Sequence, residues 1–290
     1  MKTIIFLIPV FNDWDSLIKL LEEINKQLNS FKKFNFKCLV INDASTIQQP
    51  KLKKPSNIQT LKILNMNENK GHARCNAFGI RYVNKNEKFD YLILMDGDGE
   101  DRPIEIKGLI EKIEKKPKNS VVAKRIKRSE GAYFQFLYFS HKMITYLFTG
   151  KKVNFGNYSC LTKSDVNTLS SQASLWSSYS GTVKKNLTQL NEIDSIRGTR
   201  YFGPSQMSLF KLLIHSFSII AVFKYQVFLR SIILSIILHF LTSSYGVFYG
   251  ICQTLIILFN LMILLVSFRE KKEELFKSQD NLKNIKIIKH

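Results

Sequence analysis

Short apolar runs alternate with stretches of helical periodicity through the first half of the chain. Such alternation is the pattern of a largely parallel α/β sheet, whose strands are covered on both faces and so read as continuous hydrophobic runs. The strands it predicts are Thr3 to Ile8, Phe36 to Ile41, Ile58 to Leu64, Tyr91 to Met95 and Ser120 to Ala123. Helices are predicted between them near Ser16 to Leu28, His72 to Val83 and Ile104 to Lys115. In the first of these Leu17, Leu20, Leu21, Ile24 and Leu28 recur on one face. The opening "MKTIIFLIPVFNDWD" has a short apolar run, but Pro9 breaks it and no small-residue cleavage site follows. It is expected to be a strand and its loop rather than a targeting peptide.

The pattern changes near Ser205. "SLFKLLIHSFSIIAVF" is apolar with Lys211 and His215 as its few polar interruptions, which suits a helix lying at a membrane surface. Two longer runs follow, Val227 to Ser244 and Val247 to Phe268. Each approaches the roughly 20 residues needed to cross a bilayer. The turn between them is short and uncharged, so they predict a helical hairpin. Two buried helices of a soluble domain are the competing reading, but a core helix rarely runs so long without a polar stripe. Arg230 begins the first run and Arg269, Lys271 and Lys272 follow the second, placing both ends in the cytoplasm by the positive-inside rule. The expected organisation is an α/β domain over 1–205, an amphipathic interface region over 206–225, a transmembrane hairpin over 226–269 and a basic cytoplasmic tail over 270–290. The expected location is the inner (cytoplasmic) membrane, crossed more than once, with the α/β domain facing the cytoplasm.

Composition narrows the classes. At 290 residues and 45% hydrophobic the chain can bury a sizeable core, which excludes a disordered protein. Its 43 Lys and Arg against 23 Asp and Glu give a formal charge of +20, suited to nucleic acid, an anionic membrane or a phosphorylated substrate. Cys38, Cys75, Cys160 and Cys252 lie far apart with no CxxC pair, so neither a zinc site nor a disulfide framework is indicated. His141, His215 and His239 stand in apolar helical context and read as packed or interfacial residues rather than ligands.

Against this basic background "YLILMDGDGEDRP" places Asp96, Asp98, Glu100 and Asp101 at the end of a buried strand. In open α/β sheets ligands bind beyond the carboxyl ends of strands. Two carboxylates there, with glycines at 97 and 99 permitting a sharp turn, can hold a hard divalent cation that completes its shell with water and substrate phosphate. Such a cation would neutralise a diphosphate, which reconciles the acidic cluster with the basic chain.

"IPVFND", "VINDAS", "NKGHARCNAFGI" and "MDGDGEDRP", in that order, resemble the nucleotide-sugar-binding half of family 2 glycosyltransferases, which have the GT-A fold. The resemblance spans at least residues 3 to 205 and is nearest to the membrane-anchored polyprenyl-phosphate sugar transferases acting on dolichyl or undecaprenyl phosphate. It implies a GT-A domain of Rossmann-like α/β architecture followed by an interfacial helix and the two-helix hairpin. Pro9, Val10, Phe11 and Asn12 resemble the loop that packs around the nucleotide base, with Asp13 where the family usually has Glu. Asp43 resembles the acid that contacts base or ribose, in a motif more often written with two acids, where Asn42 stands here. Asn69, Gly71, His72 and Arg74 match a sugar-nucleotide loop leading into a helix, whose backbone donors and positive end suit phosphate. The resemblance further implies that Asp96 and Asp98 bind Mg or Mn, that Gly97 lines the nucleotide site between them, and that Asp101 lies close to the sugar or acceptor.

The second half concerns the acceptor. "AKRIKRSEG" offers Arg125, Arg128 and Glu130, and "IRGTRYFGPSQMSL" offers Arg197, Arg200 and Ser205 just before the membrane segment. Arginine's planar fork suits a phosphate group. Arg200, Gly203 and Ser205 resemble the family's R-x-x-G-x-S motif, with Gln206 where a Lys often follows. Near Val153 to Leu161 many relatives carry an acid, whereas this chain has Asn157, Tyr158 and Ser159. A hydroxyl acceptor needs a general base, whereas a phosphate monoester with a second pKa near ~6 is already anionic. The expected reaction is therefore inverting transfer from a nucleotide sugar to a polyprenyl phosphate, with Asp98, Asp101, Arg125, Arg128 and Arg200 around the reacting groups. Two other readings stay open: a transferase using a glycan or lipid hydroxyl, and a non-enzymatic, membrane-attached basic protein. Nucleic acid is not expected as a partner, and the sequence leaves sugar, base, lipid length and oligomeric state open.

Overall fold

The apolar run after Met1 becomes β1 (Lys2–Val10), near the middle of a single mixed sheet in the computed structural model, which describes residues 1–127, 132–204 and 208–289. There follow α1 (Trp14–Leu28), β2 (Phe34–Asn42), β3 (Thr60–Met66), α2 (His72–Asn86), β4 (Tyr91–Leu94), α3 (Ile106–Lys115) and β5 (Val121–Lys127). Next come α4 (Ala132–Thr149), β6 (Phe155–Thr162), α5 (Lys163–Ser170), α6 (Tyr179–Asn186) and β7 (Asn191–Ile196). The chain ends with α7 (Leu209–Ala221), α8 (Lys224–Thr242), α9 (Gly246–Ser267), α10 (Lys272–Phe276) and β8 (Leu282–Ile288).

The strand order is β7-β5-β6-β4-β1-β2-β3-β8. Strands β4, β1, β2 and β3 are mutually parallel. Their carboxyl ends therefore share one edge of the sheet, and the loops after them converge there. Strand β6 enters antiparallel between β4 and β5.

Alternation along β1 divides the core. Ile4, Phe6 and Ile8 pack with Leu17, Leu20 and Ile24 of α1 and Leu109 and Ile113 of α3. Ile5 and Leu7 pack on the other face with Phe78 and Ile80 of α2 and Val166 of α5. All of these side chains are buried. The close approach of α2 to the sheet depends on Gly79, where an added Cβ would come within 2.6 Å of Leu7 Cδ1.

The predicted apolar face of α1 is the face that packs on the sheet, and the predicted strands and helices of the first half are present. Ile58 belongs to a turn ahead of β3, where its N–H donates to the Pro55 carbonyl at 3.1 Å. Strands β6, β7 and β8 and helices α4, α5 and α6 were not among the predicted elements. In β6 the buried Ser159 hydroxyl pairs with Tyr179 at 2.6 Å, so a polar residue occupies what is in fact a core position. The segment expected as a basic tail contains α10 and β8, and β8 pairs antiparallel with β3 from Leu61↔Ile288 to Met66↔Leu282. Its lysines face outward along an edge strand, as edges that avoid further pairing commonly do.

Lys224–Thr242 and Gly246–Phe276 are long and apolar enough to cross a bilayer, with mean hydropathy 1.6 and 2.4. Within the 18-residue apolar core of each stretch only 11% is buried, which is unlike the core helices of a soluble domain. The two helices are zipped by polar contacts: Gln253 Nε2 donates to the Ser235 carbonyl at 3.0 Å, and His239 Nδ1 lies 3.2 Å from the Tyr249 hydroxyl. Phe148 of α4, Ile220 of α7, Val227 of α8 and Ile263 of α9 form a separate cluster at their base.

Candidate active site

Four loops meet at the carboxyl edge of the parallel strands. The first follows β1, where Val10 is buried and Phe11 is 41% exposed. Asn12 takes a left-handed φ of 53° and ties this loop to the one after β2. Its Oδ1 accepts from the N–H groups of Thr46 and Ile47 at 2.8 and 3.0 Å, and its own N–H donates to Ser45 Oγ at 2.9 Å. Asp43 is buried below this junction. Its oxygens accept from the N–H groups of Lys70 at 3.0 Å and Gly71 at 2.9 Å, so it shapes the turn that opens α2. Burial raises the Asp43 carboxyl, and those two N–H groups oppose the shift. Gly71 sits at φ +87°, a conformation that favours glycine. Asn69 is exposed on this turn, and Arg74 lies in the first turn of α2 with its guanidinium 5.7 Å from the Trp176 ring centre.

The acidic turn after β4 lies between these loops and β6. His72, first residue of α2, brings Nε2 within 3.2 Å of Asp96 Oδ1. Asn157 of β6 donates to the same oxygen at 3.1 Å. Burial would raise the Asp96 carboxyl, but the His72 charge and these hydrogen bonds, with Arg125 beyond, hold it well below the usual carboxylate range. Asp98 and Asp101 move the other way. Burial and the charges of Asp96 and Glu100 push Asp98 up to about 6, against the Glu100 N–H and Arg200. Burial and Asp96 push Asp101 up to about 8, against Arg125 and the Asp96 N–H. The Asp96 N–H donates to Asp101 Oδ2 at 3.0 Å, so Asp101 braces the turn from below.

A strap from residue 197 to 203 lies over this turn. Tyr201 N–H donates to the Asp98 carbonyl at 3.0 Å and Gly198 N–H to the Glu100 carbonyl at 2.8 Å. Arg197 pairs with Glu100, and the Tyr201 ring lies where a side chain at Gly99 would point, Gly99 having φ +88°. Arg200 forks between two carboxylates, reaching Asp98 Oδ2 at 2.7 Å and Asp13 Oδ2 at 2.5 Å. Beside the fork a cavity of about 320 Å³ is lined by Asn12, Asp13, Ile47, Gln48, Arg200 and Phe202. Arg125, mostly buried, comes within 3.9 Å of Asp101 Oδ1.

The structure thus gathers Pro9 to Asn12, Asp43, Gly71, His72, Asp96, Gly97, Asp98, Asp101, Arg125 and Arg200 around one edge. Arg128, Glu130 and Ser205, also singled out from the sequence, lie outside the described residues. The Arg200–Asp13 pairing and the cover of Tyr201 over Gly99 were not foreseen; only the Asp that replaces Glu at position 13 hinted at the first. Asn157, noted as standing where relatives carry an acid, proves to face Asp96.

Among the described residues no three Asp, Glu, His or Cys side chains converge as a metal set. The donors that are present nonetheless suit a hard cation: two carboxylates on one tight turn, crowded enough that their charges repel. They would supply two oxygens, leaving the rest to water and phosphate, as Mg²⁺ commonly accepts.

Gly97 fixes how close this turn sits to β1, since a Cβ there would meet the Pro9 carbonyl oxygen at 2.8 Å. Gly97→Ala is expected to displace the turn, lowering stability by about 1–3 kcal/mol and transfer at least tenfold. A melting curve beside a turnover assay checks both, and wild-type turnover would contradict the tight contact.

Residues 5–177 match the family described as Glycosyl transferase family 2, and the chain belongs to that family. It is a glycosyltransferase with a GT-A domain, and the non-enzymatic alternative is set aside. Mannosyl-3-phosphoglycerate synthase from Rubrobacter xylanophilus shares the fold at TM-score 0.53 and 13% identity, over 76% of this chain and 72% of that one. S. aureus TarS in complex with UDP-GlcNAc is similar at 0.50 and 14%, over 84% and 73%. So is glucosyl-3-phosphoglycerate synthase from Mycobacterium tuberculosis in complex with Mn²⁺, UDP-glucose and phosphoglyceric acid, at 0.50 and 12%, over 78% and 80%. No curated protein sequence matches the chain.

Proposed function

We propose that this glycosyltransferase moves a sugar, with inversion, from a nucleoside-diphosphate sugar to the phosphate of a polyprenyl lipid, at the cytoplasmic face of a membrane that α8 and α9 cross. The observation that carries the acceptor assignment is Asn157. It points its amide at Asp96 from the strand position where an acid could serve as general base. Asp101, the other candidate, is 4% exposed and engaged with the Asp96 N–H. A phosphate monoester needs no base, because its oxygen is already anionic.

The cavity beside Asp13 and Arg200 would take the nucleotide, and its size lies within the range of ligand pockets. Asp96 and Asp98 would hold a Mg or Mn ion, which when bound offsets the charge of the departing nucleoside diphosphate. His72 and Asn157 keep Asp96 ionised and aimed. The N–H groups at the start of α2 favour negative charge nearby. Arg125 and Arg200 would orient the lipid phosphate. One of its oxygens attacks the anomeric carbon as the bond to the nucleoside diphosphate breaks, with no proton to remove.

The test incubates purified protein in detergent with undecaprenyl phosphate, Mg or Mn, and a panel of UDP and GDP sugars, and looks for a polyprenyl-phosphate sugar by mass spectrometry. One donor is expected to give product, and chelation with EDTA is expected to remove at least ~99% of it, in line with the effect of losing a main source of charge stabilisation. Donor binding without any lipid product would move the acceptor to a hydroxyl group. Undiminished product after chelation would remove the cation from the reading.

A further inference from the structure

Two arginines from distant parts of the chain bear on each other without an acid to separate them. Arg74 lies in the first turn of α2, where the positive end of the helix disfavours a cation and no acidic residue offsets it. Arg269 stands in the closing turn of α9, its N–H donating to the Val266 carbonyl at 3.0 Å. The charge that bears on Arg269 is that of Arg74. Both Nε atoms are buried and have no hydrogen-bond partner. Arg74 Nη1 reaches only the Lys70 carbonyl, at 3.2 Å. Asp43 and Glu274 lie within reach of the Arg74 charge but are engaged elsewhere. Asp43 accepts from the Lys70 and Gly71 N–H groups, and Glu274 from Trp176 Nε1 at 3.0 Å and Lys271 Nζ at 2.6 Å. Two half-buried cations whose neighbouring acids are all taken lack an anion.

We infer that Arg74 and Arg269 form a binding site for a lipid phosphate, separate from the acidic turn. The inference rests on the reading of α8 and α9 as membrane-crossing, and adds a headgroup position to it. Phosphate fits the donors, since each guanidinium presents a planar fork to its oxygens. The site is separate because of the helix period. His72 faces Asp96 at 3.2 Å. Arg74, two residues on, is turned by about 200° around α2, and its guanidinium lies against Trp176, 5.7 Å from the ring centre. A phosphate held there is therefore not the one that would sit on a cation at Asp96 and Asp98. Hydrocarbon marks the occupant as a lipid: Leu265 and Phe268, beside Arg269, are 67 and 64% exposed. A free phosphate would gain nothing from them, whereas a lipid would lay its chains along α9 and its head on the arginines, at the level where cations meet anionic headgroups. Bound there, it would tie the end of α9 to the helix that carries His72. A polyprenyl phosphate and an anionic phospholipid present the same group to the site.

The experiment offers phosphatidylglycerol, phosphatidylcholine and undecaprenyl phosphate, singly and in competition, to the purified full chain in detergent, and reads retained lipid by native mass spectrometry. Arg269→Gln and Lys272→Gln are compared with the wild type. Arg269 has no side-chain bond to lose, so its substitution preserves the fold, and Lys272 is an exposed cation three residues on. The wild type is expected to retain an anionic lipid in preference to phosphatidylcholine. Arg269→Gln is expected to weaken that retention about tenfold or more, and Lys272→Gln to leave it unchanged. Whichever anionic lipid displaces the other identifies the source of the phosphate. Equal losses in the two variants would mean diffuse surface charge and would overturn the site, as would retention that ignores Arg269→Gln. Displacement by inorganic phosphate as readily as by lipid would overturn the lipid assignment. Flotation with phosphatidylcholine liposomes tests the membrane reading separately. Wild type and Arg269→Gln are both expected to float; if neither does, the membrane reading falls and the inference with it.

Discussion

Asp98→Asn is expected to lower sugar transfer by about 10³-fold or more, roughly 4 kcal/mol of transition-state stabilisation, in a protein that keeps its fold. The substitution preserves shape. Asn Oδ1 can still accept the Glu100 N–H that Asp98 receives at 3.0 Å. It also removes one of the charges that crowd the turn, since Asp96 and Glu100 both act against the ionised form of Asp98. What it takes away is one of the two carboxylates proposed to hold a cation, and the anchor of the Arg200 guanidinium at 2.7 Å. Turnover measured beside a thermal melt separates the effects. Near-wild-type turnover would remove Asp98 from the chemistry, and a collapsed melt would make its role structural.

The second large effect concerns stability. Deleting residues 272–290 removes α10 and β8, and with them the buried side chains of Leu275 and Ile288. At about 1.5–3 kcal/mol for each buried side chain, apolar burial alone loses roughly 3–6 kcal/mol. To this is added the ladder from Leu61 to Met66, the bond between Asn67 N–H and the Asn281 carbonyl at 2.8 Å, and the Trp176 Nε1 bond to Glu274 at 3.0 Å. A domain is commonly stable by only 5–15 kcal/mol, so the shortened chain is expected to melt at least ~10 °C lower or to aggregate through the bare β3 edge. Circular dichroism in detergent reads the melt. An unchanged midpoint would mean that β8 contributes nothing to the fold.

The two halves of the chain were unequally legible. Strands β1 and β4 were readable because burial on both faces leaves an uninterrupted apolar signature, β2 and β3 because a short apolar run survives between their polar positions, and α1 because its leucines repeat on one side. The acidic turn was readable because four carboxylates at a strand end have few purely structural uses. Strand β6 was not, since its buried Ser159 is satisfied by Tyr179, a partner twenty residues away that no local pattern announces. Strand β8 was hidden by its lysines: an edge strand held by backbone pairing carries little hydrophobic signal, and "LKNIKII" looks like a solvated tail. Helix α4 is apolar on two sides, so neither strand alternation nor a one-faced helical pattern singles it out. Within the site, the individual loops were apparent but not their mutual contacts. That Asn157 meets Asp96, and that Arg200 bridges to Asp13 across 187 residues, follows from the sheet order and the strap, which only the folded chain defines.

Strand β8 also imposes an order of events during synthesis. Domains generally fold from the amino terminus as the chain emerges, and β1 to β7 are complete before α8 is made. The edge of β3 must nevertheless wait, because its partner is translated only after both apolar helices. If the hairpin inserts, β8 emerges on the same side as the waiting edge and closes it. Closure of the sheet therefore falls to residues made after both apolar helices, so a chain cut short before β8 leaves the β3 edge open.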